Sequence, residues 1–132
     1  MKPTVLIVDD EKHSREGLRA AFDDKYECFV AKDAAEAARL MQDVPPDAVL
    51  TDLRMAGEDG MSVLERALKL PQQPVCIMMT AYGDVEVAVK SVRAGAYDFL
   101  EKPFRSNDEV VLTVSKAAER RHLVNHAAML KR

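Results

Sequence analysis

Asp52 ends the apolar run Val49-Leu50-Thr51 and opens a loop of small and flexible residues. Asp9-Asp10-Glu11 ends an earlier apolar run, and Thr80 and Lys102 end two later ones. Carboxylates gathered from two strand ends repel one another, which raises some of their pKa values unless a cation sits among them. A hard divalent cation suits the set; magnesium needs only one or two carboxylates and keeps several waters. Asp10 and Asp52 are the candidate direct ligands, Asp9 a ligand through water, and the Arg54 backbone carbonyl a further oxygen donor. An Asp52 oxygen is then the candidate nucleophile toward a phosphoryl group. The Thr80 hydroxyl would donate to one phosphoryl oxygen, and the Lys102 ammonium would neutralise another. An aspartate with an ordinary pKa is ionised at neutral pH, so no general base is expected.

These residues need elements that bring distant stretches to one rim. Val5 to Val8 is an apolar run without alternation, the pattern of a strand covered on both faces of a parallel sheet. Leu18, Ala21 and Phe22 then share a helical face. The segment from Tyr26 to Ala31 reads as a second strand, more mixed and so nearer an edge. Asp33-Ala34-Ala35-Glu36 resembles a capping box, and Ala34, Ala37, Ala38 and Met41 supply the buried stripe of its helix. Residues 47–52 form a third strand, and Met61, Leu64 and Leu68 mark a third helix. Residues 71–74 turn the chain into Val75-Cys76-Ile77-Met78-Met79, the most apolar run, which ends at Thr80. Val85, Ala88, Val89 and Val92 fall at i, i+3, i+4 and i+7 and predict the buried face of a fourth helix, with Gly95 at its C-terminus and Val87 facing outward. Residues 97–100 form a short fifth strand before Lys102-Pro103, and Ser106-Asn107-Asp108-Glu109 opens a last, long helix. Strands alternating with helices imply parallel crossovers and a doubly wound α/β sheet, in which ligands bind beyond the carboxyl ends of the strands. Asp9, Asp10, Asp52, Thr80 and Lys102 should therefore share one rim.

The 132 residues fit one domain. With 19 basic and 22 acidic residues and a formal charge of −3, the composition excludes a nucleic-acid binder that works through its whole surface. Cys28 and Cys76 are too far apart for a Cys-x-x-Cys motif, and both read as buried, reduced thiols of a cytoplasmic protein. The first apolar run is too short for a signal peptide or a membrane span and runs straight into acids.

The ordered set of Asp9-Asp10, Asp52-x-x-Met55 with Gly57 and Gly60, Thr80-Ala81 and Lys102-Pro103 resembles the receiver domain of a two-component response regulator, over residues 4 to about 120. The resemblance implies a five-stranded parallel sheet with five helices in the flavodoxin-like strand order 2-1-3-4-5. It implies that Asp52 is the phosphoacceptor for a sensor histidine kinase, that Asp9 and Asp10 belong to a magnesium site, and that Thr80 and Lys102 are switch residues, with Phe99 as the switch aromatic. Such a domain is regulatory and assists its own phosphotransfer and dephosphorylation. A cis peptide between Lys102 and Pro103 is also implied. Ala56 departs from the proline usual after Met55. The segments 80–84 and 95–104 look particularly like receivers of sigma-54-dependent transcriptional activators, in which an ATPase domain and a DNA-binding domain follow. The chain is thus expected to be a piece of a longer regulator.

Within it, residues 1–119 are expected to form the receiver and 120–132 a helical linker that extends the last helix. Val110, Val114, Ala117, Val124 and Ala128 follow a 4-3 repeat with Arg121 in the missing position, which predicts a homodimer through that helix. Arg54 and Tyr82, each two residues beyond a site residue, should flank the phosphoryl group. His122 and His126 share a helical face but lack a third ligand and read as solvated. Three rivals are a phosphohydrolase with an aspartate nucleophile, a flavodoxin-like carrier, and a receiver-like dimerisation module independent of phosphorylation. The first would place an Asp-x-Asp after the first strand and the second a Gly/Ser/Thr-rich loop there; Asp9-Asp10-Glu11 is neither.

Overall fold

The computed structural model describes residues 2–55, 58–81 and 83–130, with only the backbone path described for 58–59 and 122–130. Five strands, β1 (Thr4–Val8), β2 (Glu27–Ala31), β3 (Ala48–Asp52), β4 (Val75–Ala81) and β5 (Asp98–Lys102), form one parallel sheet in the order β2-β1-β3-β4-β5. The helices between them are α1 (Lys12–Phe22), α2 (Ala34–Asp43), α3 (Gly60–Leu68) and α4 (Val85–Arg93), and α5 (Asn107–Leu130) follows β5. Arg54–Met55 and Glu58–Asp59 add a two-residue antiparallel pair beside the end of β3. The expected strand order and helix count hold.

Strand side chains alternate between the sheet faces, so a strand covered on both sides needs apolar residues throughout. In β1, Val5 and Ile7 join Leu18 and Phe22 of α1 and Val110, Val114 and Ala117 of α5. Leu6 and Val8 face the other way and join Ala34, Ala37 and Met41 of α2 with Val63, Leu64 and Ala67 of α3. The mixed β2 lies at the sheet edge, as expected. The α2 cap forms as read, with the Asp33 carboxylate accepting from the Glu36 amide at 2.8 Å.

Helix α4 corrects the reading of its stripe. Ala88 and Ser91 are the buried residues and Val87 packs against the α2/α3 core, whereas Val85 at 46%, Val89 at 39% and Val92 at 38% are exposed. Period alone defines a face without saying which face the sheet covers. Ser91 fits inside because its hydroxyl donates to the Ala88 carbonyl at 2.6 Å. Val87, read as outward, is therefore half-buried.

The boundary expected at residues 119 and 120 falls inside α5, which continues without a break. Arg121 donates from Nη1 to the Gln73 carbonyl at 3.0 Å, so the helix still touches the turn before β4 there. The side chains of His122, Val124, His126 and Ala128 lie outside the described residues, as do Tyr82, Ala56 and Gly57. Cys28 and Cys76 are free thiols; Cys76 is buried and Cys28 only partly so. Among the described residues no helix is long and apolar enough to cross a membrane.

Candidate phosphoacceptor site

All five strands point the same way, so their carboxyl ends gather at one rim above a cleft of about 530 Å³. Asp10, Asp52, Arg54, Lys102 and Pro103 line it, together with Glu11, Ser14, Asp84 and Phe104. The backbone behind Asp52 is set by Gly60, which donates its amide to the Leu53 carbonyl at 2.6 Å. A Cβ at Gly60 would stand 2.0 Å from the Asp52 carbonyl oxygen, so no other residue fits.

Lys102 reaches across the sheet and bridges two carboxylates, with Nζ 2.9 Å from Asp52 Oδ1 and 3.0 Å from Asp9 Oδ2. The peptide bond that follows it, to Pro103, is cis, as the resemblance implied. Ser14 on the first turns of α1 completes the network: its hydroxyl donates to Asp9 Oδ2 at 2.5 Å and accepts from Lys102 Nζ at 3.3 Å. Asp9 Oδ1 also accepts the Glu11 amide, and Arg15 donates to the Asp9 carbonyl. Asp9 is fully buried and Asp52 nearly so, while Asp10 is exposed.

These contacts set the charges. Burial and then the neighbouring Asp9 push the Asp52 carboxyl up to about 7, against the pull of Lys102. Burial also acts to raise Asp9, but hydrogen bonds involving Asp52, Ser14, the Glu11 amide and Lys102 outweigh it and hold Asp9 below the usual carboxylate range. Lys102 loses some basicity to burial and regains more from Asp52 and Asp9, ending above its usual value. Burial and Asp9 thus favour the protonated form of Asp52 when only protein groups surround it, so its ionisation at neutral pH leans on a cation in the cluster. One oxygen from each of Asp9, Asp10 and Asp52 lies within 4.8 Å of the others, a spacing that fits one hard divalent cation.

The rim thus unites Asp9, Asp10, Asp52 and Lys102, with Arg54 and Pro103 beside them. Thr80 and Phe99 stand apart. The buried Thr80 hydroxyl donates to the Ala81 carbonyl at 3.4 Å, and half-buried Phe99 packs against the α2/α3 core. Ser14 and Asp84 went unread in the sequence. Each is a common residue on or before a helix, and nothing in its spacing announces which strand end it will face.

The model of the response regulator receiver domain matches residues 5–124. The chain belongs to this family. Relatives include the regulatory protein AtoC of Escherichia coli, 40% identical over 87% of this chain and 25% of its own length. The C4-dicarboxylate transport transcriptional regulatory protein DctD of Pseudomonas aeruginosa is 39% identical over 91% of this chain and 26% of its own length. These relatives fall in the sigma-54-dependent activator group that the sequence resembles. The chain spans about a quarter of their length. Among solved structures, NtrX from Brucella abortus superposes with a TM-score of 0.90 at 32% identity, covering 98% of this chain and 30% of that one. The receiver domain of a putative Luxo repressor protein from Vibrio parahaemolyticus gives 0.85 at 26% identity, covering 96% and 98%. A receiver domain is a regulatory module.

Proposed function

We propose that this receiver domain takes a phosphoryl group on Asp52 from a phosphohistidine of a sensor histidine kinase and thereby switches a sigma-54-type transcriptional activator. The observation that carries the reading is the bridge from Lys102 to both Asp52 and Asp9 at one strand-end rim. An Asp52 oxygen attacks phosphorus, the phosphorus–nitrogen bond breaks, and the imidazole leaves with the electron pair. Asp9, Asp10, Asp52 and the Arg54 carbonyl would hold magnesium. When bound, the ion supplies positive charge that keeps Asp52 ionised and polarises the incoming phosphoryl group. Lys102 neutralises one phosphoryl oxygen, and Thr80 must turn its hydroxyl from the Ala81 carbonyl to reach another. Phe99 follows that movement, and α4, β5 and α5 shift between two pre-existing forms.

The output is read on that same side of the molecule, where Val85, Val89 and Val92 stand exposed. The regulator acts in the cytoplasm, as a homodimer through α5 or the surface of residues 84–119, with residues 120–132 as linker and ATPase and DNA-binding domains beyond. The receiver itself contacts neither nucleic acid nor membrane. Arg54 and Tyr82 are assigned the role of restricting water at the acyl phosphate, from their places two residues beyond Asp52 and Thr80, so Arg54→Ala and Tyr82→Ala are expected to speed dephosphorylation; unchanged rates in both remove that role.

Incubation with acetyl phosphate and magnesium followed by intact mass is the direct test. One phosphoryl group should be gained by the chain and by none of its Asp52→Asn copies. If neither gains one, the domain is the rival dimerisation module independent of phosphorylation, a reading that the same exposed valines would serve.

A further inference from the structure

Asp84 occupies the N-cap position of α4 and has a residue type that position favours, yet its side chain makes no cap hydrogen bond. The carboxylate goes to Arg54, with Nε donating to Oδ2 at 2.5 Å and Nη2 to Oδ1 at 3.2 Å. Arg54 follows β3 and Asp84 follows β4, and both line the cleft, so this two-pronged pair spans the mouth above Asp52. The backbone records the diversion. Asp84 has φ −92° and ψ 39°, whereas Asp33, which does cap α2, is extended at −155° and 173°; an N-cap residue normally takes the extended form.

We infer that Asp84 is the positioning residue of Arg54 and that its carboxylate alternates between two partners: the Arg54 guanidinium while Asp52 is free, and the first-turn amides of α4 once a phosphoryl group on Asp52 draws the guanidinium inward. The second state rests on the reading of Asp52 as phosphoacceptor; the first does not. A guanidinium fork fits phosphoryl oxygens as well as a carboxylate. The Arg54 side chain is 67% exposed while that of Asp84 is 26% exposed, so the guanidinium is the partner with room to swing toward the cleft, and the two-pronged contact is what a phosphoryl group must outcompete. The released carboxylate then lies beside the positive end of α4 and the orphan amides there. Phosphoryl charge is thereby coupled to α4 by a route that uses neither Thr80 nor Phe99.

Hydrogen exchange at the Glu86 and Val87 amides of the full chain tests both states. Without phosphate, Arg54→Ala should slow these amides about fivefold, the scale of a gained N-cap, and Arg54→Ala with Asp84→Ala should not. Asp84→Asn, which keeps a capping oxygen but loses the charge and the second oxygen that hold arginine, should slow them as well. If the ion pair is only a structural tie, its loss speeds exchange; faster or unchanged exchange in Arg54→Ala overturns the inference. With acetyl phosphate and magnesium, and the acyl phosphate verified by mass, the same amides should slow in the unaltered chain and not in Asp84→Ala. A phosphorylated chain with unchanged exchange overturns the second state. A chain that gains no phosphoryl group overturns the functional reading and that state together, while the phosphate-free variants still decide whether Asp84 has two partners.

Discussion

Helices α2 and α4 begin alike, each with an aspartate at the N-cap, and they end differently. In α2 the Asp33 carboxylate caps the helix, and Ala34, Ala37 and Met41 of the expected stripe lie buried while Ala38 is only partly so. In α4 the Asp84 carboxylate leaves the cap for Arg54, and three valines of its most apolar stripe face solvent while Ser91 is inside. The difference follows position. The α2 N-terminus serves only its own helix, whereas α4 starts at the mouth of the Asp52 cleft. Departures from local preference tend to collect where an element faces a functional site.

The largest expected effect comes from the site that α4 borders. Asp52→Asn should abolish phosphoryl uptake and stabilise the fold above pH 7 by about 1–3 kcal/mol, because a buried carboxylate pair is relieved. The folded-state pKa of Asp52, about 7, is raised above the ordinary 3.8. Its contribution to stability is therefore fully present below about pH 4 and is lost as pH rises through about 7. The advantage of Asp52→Asn should accordingly grow from near nothing at pH 4 to its full size above pH 7 in metal-free buffer. Chemical denaturation at several pH values measures it; a constant advantage across that range would remove the role given to burial.

The inward face of α4 comes next. Ala88→Leu should cost about 1–3 kcal/mol by overpacking, since Ala88 is fully buried against the sheet. The caps then separate the two helices directly. Asp33→Ala should cost about 1 kcal/mol through a lost N-cap, and Asp84→Ala less, about 0.5 kcal/mol, through a lost pair whose arginine is exposed. Equal losses in thermal or urea unfolding would erase the contrast. The smallest effect belongs to Val89→Ser, which should change stability by no more than about 0.5 kcal/mol because the side chain faces water.

Much of the architecture was legible because strand runs covered on both faces and helix stripes repeat with different periods. Asp9, Asp10, Asp52 and Lys102 were legible too, since each closes an apolar run in a fold whose parallel strands must end together; Thr80 closes one as well, yet its hydroxyl turns to the Ala81 carbonyl. Ser14 was not, because a serine two positions into a helix has no local mark that it will stand between Asp9 and Lys102. The buried face of α4 was not, because a hydrogen-bonded serine can enter a core that periodicity reserves for valine.

By itself the sequence determined the five-stranded α/β fold, the family, and the meeting of Asp9, Asp10, Asp52 and Lys102 at one rim, since the order of apolar runs dictates which strand ends coincide. Only tertiary packing decided how those side chains behave. Burial beside Asp9 holds the Asp52 proton near neutral pH, and the approach of two loops gives the Asp84 carboxylate to Arg54 and not to its own helix. Desolvation and the competition between partners depend on distances through space, which no local stretch of sequence contains.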